Sequence, residues 1–387
     1  MNKSTYAVFG AGLMCLAFTS PLWAQGGPQS DGTGNTAKAG AGNQAANGAS
    51  KDAPSDTTTI PEEEQDSMQK AYKDYTDKNF TLAASELQVI VKKYPNILEA
   101  HQMLGDIYIR LNQIPQAVPE MEAVVRLKPK DTGTRDNLGR AYLQLGDSDK
   151  AAKLYQTALA QKPTDPSYAL MYAAALEQGG KHADAAAAFE KAAILDPKNS
   201  DAPLDAGVLY HQIGNDAKAV PYLKTALALG TPQKFTAYTA LAEAATTAKQ
   251  SKEAIQDYTL AAQAKPDDFG AEANLGVLEQ NAGRKTDAEA AYRQAIALKS
   301  DDPKSKASVQ ANLAMLLTDD GKLDDAAALL VQATKADPTN GSLEDNLGNV
   351  YEKQGKRTLA LAAYKQALAA SPSNSMAKDG VARLSKP

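Results

Sequence analysis

Nine positions cut residues 95 to 372 into steps of about 34. Proline stands at Pro95, Pro129, Pro163 and Pro197, each 34 after the last. Pro232 and Pro266 continue the series, Ser300 takes the next slot, and Pro338 and Pro372 close it. A proline removes a backbone donor, stops a helix, and pushes the residue before it into extended backbone. A proline that recurs at a fixed period therefore marks the end of a recurring helical unit. A period of this size predicts an array of short supersecondary units, each completing its core only against its neighbours.

The rest of each unit keeps the same register. The third carries Leu138-Gly139, Tyr142, Gly146, Ala151, Tyr155, Ala158 and Pro163. The last carries Leu347-Gly348, Tyr351, Gly355, Ala360, Tyr364, Ala367 and Pro372. The second (Leu104-Gly105, Tyr108, Ala117, Met121), the fifth (Gly207, Tyr210, Gly214, Ala219, Leu223) and the seventh (Leu275-Gly276, Gly283, Ala288, Tyr292) agree closely. The first, fourth, sixth and eighth keep small residues at the glycine place, Ala71, Ala173, Ala242 and Ala314. This pattern resembles the tetratricopeptide repeat, W-x2-L-G-x2-Y, then A-x3-F, then P, without its Trp, over about Glu64 to Pro372.

The resemblance implies an all-α, right-handed α-solenoid of about nine tandem helix-turn-helix repeats. Gly105, Gly139 and Gly207 are expected where the second helix crosses the first, with Ala117, Ala151 and Ala360 facing such crossings. Gly146, Gly214, Gly283, Gly321 and Gly355 are expected in the left-handed conformation that ends a helix. Two departures stand out. Pro119 and Pro221 fall at equivalent places inside second helices, and should bend them or be tolerated as drift. From Gly276 to Ala314 is 38 residues, an insertion of four around Ser300-Asp301-Asp302-Pro303. Residues 61–372 are thus assigned to the solenoid and 373–387 to a C-terminal capping helix.

The N-terminus has another character. Lys3 followed by the apolar run Ala7 to Phe18, then Ser20 to Ala24, predicts a signal peptide over residues 1–24, cut before Gln25. Gly12-Leu13-Met14 before Cys15 does not fit a lipoprotein signal. Cys15 and Trp23, the sole Cys and Trp, would leave with the signal, so disulfide and thiolate chemistry is not expected. Residues 25–60 are small and polar without periodicity, and read as a disordered linker. These features predict an exported protein, periplasmic or secreted, with no membrane span.

Charge and chemistry narrow the function. There are 41 Lys and Arg against 46 Asp and Glu, a net charge of −5, with no basic cluster of the kind phosphate backbones require. Nucleic acid is not an expected partner. His101, His182 and His211 fall in separate units without metal-ligand spacing, and no phosphate loop or acidic calcium loop is present. No cofactor, metal or enzymatic activity is expected.

What remains is a surface. In arrays of this family the first helices line a concave groove, and the register places Met68, Tyr72 and Tyr75 there in the first unit. Glu99, Asp106, Arg110, Asp136 and Arg140 follow in the second and third, then Leu170, Ala174, Leu204 and Val208. Glu243, Val277, Met315, Asp345, Asn349 and Lys353 complete the row. Leu170, Leu204 and Val208 either face the groove or pack against an adjacent first helix. Across the row acids outnumber bases, and the paired bases that grip a C-terminal carboxylate in chaperone-binding members are missing. The expected partner is another protein or peptide segment, neutral, apolar or basic rather than an acidic C-terminal tail. The expected function is an adaptor in the periplasm or cell envelope; the alternative is a scaffold for polysaccharide assembly or export.

Overall fold

A computed structural model describes residues 58–385, so the expected signal peptide and nearly all of the expected linker lie outside the described residues. The described residues are helices and turns without strands. They divide after Pro197 into two compact units.

The first unit opens with a 3-10 turn at Glu62–Glu64 and then has four hairpins. These are α1 (Gln65–Thr76) with α2 (Phe80–Lys93), α3 (Leu98–Arg110) with α4 (Ile114–Leu127), α5 (Thr132–Gln144) with α6 (Ser148–Gln161), and α7 (Pro166–Gln178) with α8 (His182–Leu195). The second unit has five, from α9 (Asp201–Gln212) with α10 (Asp216–Ala228) and α11 (Lys234–Thr247) with α12 (Ser251–Ala264). There follow α13 (Phe269–Asn281) with α14 (Lys285–Ala297), α15 (Pro303–Asp319) with α16 (Leu323–Ala336), α17 (Gly341–Lys353) with α18 (Arg357–Ala370), and the single α19 (Ser375–Leu384). Within each unit every second helix packs on its own first helix and on the next one. Each unit is therefore a solenoid of stacked hairpins.

Small residues make the crossings. Ala83, Ala117, Ala151 and Ala185 in the first unit, and Ala219, Ala254, Ala288, Ala326 and Ala360 in the second, are fully buried in second helices. A Cβ on Gly139 would run into the Tyr155 ring, one on Gly207 would lie 2.7 Å from Leu223 Cγ, and one on Gly348 2.7 Å from the Tyr364 ring. Tyr364 meets a second glycine on its other side, where a Cβ on Gly380 of α19 would come within 2.6 Å. Gly105 is the exception, since its nearest neighbour, Glu120 Cβ, would sit at 3.5 Å. At this crossing Met121 leaves the room that Tyr155 does not.

Turns follow equally local rules. Gly146, Gly214, Gly283, Gly321 and Gly355 all have φ between +74° and +81°, in the left-handed region that ends a helix. Where the glycine is missing, Lys78, Asn112 and Lys249 take φ of 64°, 56° and 59° instead. Next, after five of the closing prolines a helix cap follows two residues on. Asp131, Asp165, Asp268, Asn340 and Asn374 each accept a hydrogen bond from a backbone N–H in the first turn of the helix they precede.

The two departures resolve differently. α4 and α10 run without a break through Pro119 and Pro221. The four-residue insertion lengthens α15 to 17 residues, against 12 to 14 for the other hairpin helices. Pro303 sits in its first turn, and Asp302 caps it by accepting from Lys304 N–H at 3.0 Å and Ser305 N–H at 3.1 Å.

Candidate binding face

Three register rows on each first helix lie opposite the crossing, because residues three and four apart share a helix face. They fall three residues before, one after and four after the glycine place. The row three before is largely a seam. Met68 (8% exposed), Leu204 (1%), Thr239, Ala273, Ala311 and Asp345 are buried there. α9 lies beside α11 and α15 beside α17, and these contacts cover it in the second unit. Met68 and Leu204 are therefore core, not groove, residues. Val277, one after its glycine, is also core at 0% exposed, in an apolar cluster with Ala307 and Ala311 of α15.

The other candidates reach solvent. Tyr72 is 59% exposed, Arg110 and Asn349 are exposed, and Tyr75, Arg140, Leu170, Val208 and Met315 are half-buried. The row four after adds Ile109 and Leu143, both half-buried and both passed over in the sequence because they fill positions where a packed leucine is ordinary. In the first unit this produces an apolar band from Tyr72 and Tyr75 through Ile109 and Leu143.

Polar groups around that band are largely committed to one another. Tyr75 donates its hydroxyl to Asp106 Oδ2 at 2.5 Å, and Arg110 Nε donates to the same oxygen at 2.5 Å. The Arg110 guanidinium lies 5.7 Å from the Tyr75 ring centre and 5.8 Å from that of Phe80, within cation–π range. In the second unit Glu243 faces His211, and Glu352 accepts from Arg383 at 2.8 Å and 2.7 Å and from Tyr364 at 3.0 Å.

Three further acids are desolvated, while Glu99 stays exposed. Burial raises the carboxyl pKa of Asp136 and Glu177 in the first unit, and of Asp345 in the second, above the usual carboxylate range. Asp136 Oδ1 and Asp345 Oδ1 are buried without a hydrogen-bond partner in the protein. The acid-rich row read from the sequence is thus electrostatically weaker than its composition suggests.

Half-exposed apolar side chains on stacked helical hairpins give a face of the kind built by repeats. The sequence profile of the tetratricopeptide repeat matches residues 98–131, 137–200 and 176–244, and that of the tetratricopeptide repeat-like domain matches 225–382. The chain belongs to the tetratricopeptide repeat family.

Among solved structures, it is similar to YrrB, described as "a TPR protein with an unusual peptide-binding site", at 21% identity over 50% of this chain and 97% of that one, TM-score 0.45. It is also similar to MamA protein, at 23% identity over 42% and 88%, TM-score 0.40. A third similarity is to Naa15/Naa10 bound to HypK-THB, at 13% identity over 83% and 66%, TM-score 0.42. No curated protein sequence matches the chain. Among the described residues no helix is long and apolar enough to cross a membrane.

Proposed function

We propose that the protein is an exported adaptor, and that the first-helix face of its first unit holds an extended or helical segment of another protein. Membership of a family that generally mediates protein–protein interactions supports the class. The observation that carries the finer reading is the band Tyr72, Tyr75, Ile109 and Leu143, flanked by the desolvated Asp136 and Glu177. An apolar ligand side chain would cover the band. A second negative charge brought to those carboxylates would be repelled.

The segment is therefore neutral or basic, with apolar anchors. Tyr72 is the one largely exposed aromatic on this face among the described residues, too little to stack a sugar chain, so polysaccharide scaffolding is the weaker reading. Export rests on the N-terminal sequence, and N-terminal sequencing of the mature protein should begin at Gln25.

Fluorescence anisotropy with three synthetic peptides tests the ligand class: apolar neutral, apolar basic, and one with an acidic C-terminal tail. The first two should bind at least tenfold tighter than the third, about 1.4 kcal/mol. Tightest binding by the acidic tail would overturn the reading.

A further inference from the structure

His211 ends α9 with a carboxylate at each ring nitrogen. Nδ1 lies 2.6 Å from Asp216 Oδ1, in the first turn of α10, and Nε2 lies 3.1 Å from Glu243 Oε2, midway along α11. A neutral imidazole carries one N–H and one lone pair, so it can satisfy only one of two such acceptors. The other carboxylate would face the lone pair at hydrogen-bonding distance, which is repulsive. Only the imidazolium donates from both nitrogens, and it does so across a hairpin boundary, tying α9 and α10 to α11. The side chain is 19% exposed, against 27% for Asp216 and 25% for Glu243, so water screens the triad only in part.

We propose that His211 is a charged staple between the fifth and sixth hairpins, and that loss of its proton releases them from one another. The staple would then set how Val208 and Glu243, one residue after successive glycine places, are held on the second unit's first-helix face. This inference concerns the stacking of two hairpins and stands apart from what the first unit binds.

The surroundings agree. The histidine is raised from its ordinary 6.5 to about 8, chiefly by the hydrogen bond to Glu243, against burial, with Asp216 adding to the rise. On α10 the cation Lys218 reaches Tyr210, with Nζ 3.1 Å from the hydroxyl and 4.8 Å from the ring centre. On α12 the ionisable neighbour of Glu243 is the buried Tyr258, whose hydroxyl burial holds far above the physiological range. Tyr258 does not compete for the proton between pH 6 and 9.

The test is an NMR titration of the histidine Cε1–H resonances in the full chain from pH 5.5 to 9.5. With three histidines, His211→Gln assigns the signal, and His101→Gln with His182→Gln assigns it by elimination if that variant fails to fold. The proposal expects an inflection near 8, lowered by about one unit in Glu243→Gln and in Asp216→Asn. It also expects amide exchange in α9–α11, corrected for intrinsic rate, to be several-fold faster at pH 9 than at pH 7. An inflection at or below 6.5 would overturn the staple. An inflection near 8 with exchange protection unchanged would overturn its release.

Discussion

Gly105 and Gly139 occupy one register position on adjacent first helices and meet different neighbours. Gly139 lies against the ring of Tyr155, itself fully buried, so neither partner can move without opening the core. Gly105 faces Glu120 and Met121 at ordinary contact distance. Glycine in a helix interior costs about 1 kcal/mol relative to alanine. Gly105→Ala should therefore stabilise the protein by about 0.5–1 kcal/mol, while Gly139→Ala should destabilise it by about 1–3 kcal/mol through overpacking. Urea unfolding of the two variants checks this, and a shift of the same sign in both would contradict the crossing geometry.

The glycine register was visible in the sequence; the room at Gly105 was not, because it depends on whether the second helix offers Tyr155 or Met121. Met68 and Val277 were placed in the groove wrongly, and Leu204 falls to its packing alternative, for a related reason. A residue's distance from the crossing glycine says which way it points from its own helix, but not that the next first helix covers it. Tyr72, Arg110 and Asn349 escaped that error because no neighbouring helix covers them.

At the scale of elements, each first helix is bounded by signals only a few residues long. In α5, α7, α13, α17 and α19 the closing proline stops one helix and the Asp or Asn two residues later starts the next, whereas α3 and α11 open on Ile97 and Gln233 without a side-chain cap. The stop was legible in the sequence. The cap was not singled out, because Asp and Asn are common in any surface loop and only the backbone geometry turns one into an acceptor for the first turn. The insertion near Ser300 shows the same economy: four extra residues join α15 as one more turn rather than bulge as a loop. Asp302 anchors that turn with two backbone acceptances and a third from the Ser305 hydroxyl at 2.6 Å. Asp302→Ala should lower the midpoint of thermal or urea unfolding and should fray the start of α15 first. Its carboxyl is held below the usual carboxylate range, mainly by the Ser305 hydroxyl, so the cap's contribution is present at neutral pH and lost as pH falls through that lowered pKa. Unchanged stability at pH 7 in Asp302→Ala would show that the turn does not depend on its cap.

At the scale of the whole molecule, each unit is stabilised by couplings between neighbouring hairpins, and much of its charge is spent on them. Lys181 reaches Asp149 across one boundary at 2.7 Å, and Gln178 donates to the Leu143 carbonyl at 2.8 Å. In the second unit Lys322 reaches Glu289 at 3.0 Å and Arg383 reaches Glu352. A sequence tally of acids and bases cannot separate charges spent on such ties from charges offered to a ligand, which is why the groove looked more acidic than it is. What is left over on the first unit is an apolar band with desolvated carboxylates beside it, and the account stands on that band being where a partner lies. Site-specific photocrosslinking measures this directly. A photoreactive residue would be placed at Tyr72, Arg140 or Leu143 on first helices, and at Lys153 or Thr157 on the exposed side of α6, in the presence of the apolar basic peptide. The account predicts crosslinks at the first three positions, competed by unlabelled peptide, and none at the last two. Crosslinks confined to Lys153 and Thr157 would contradict it.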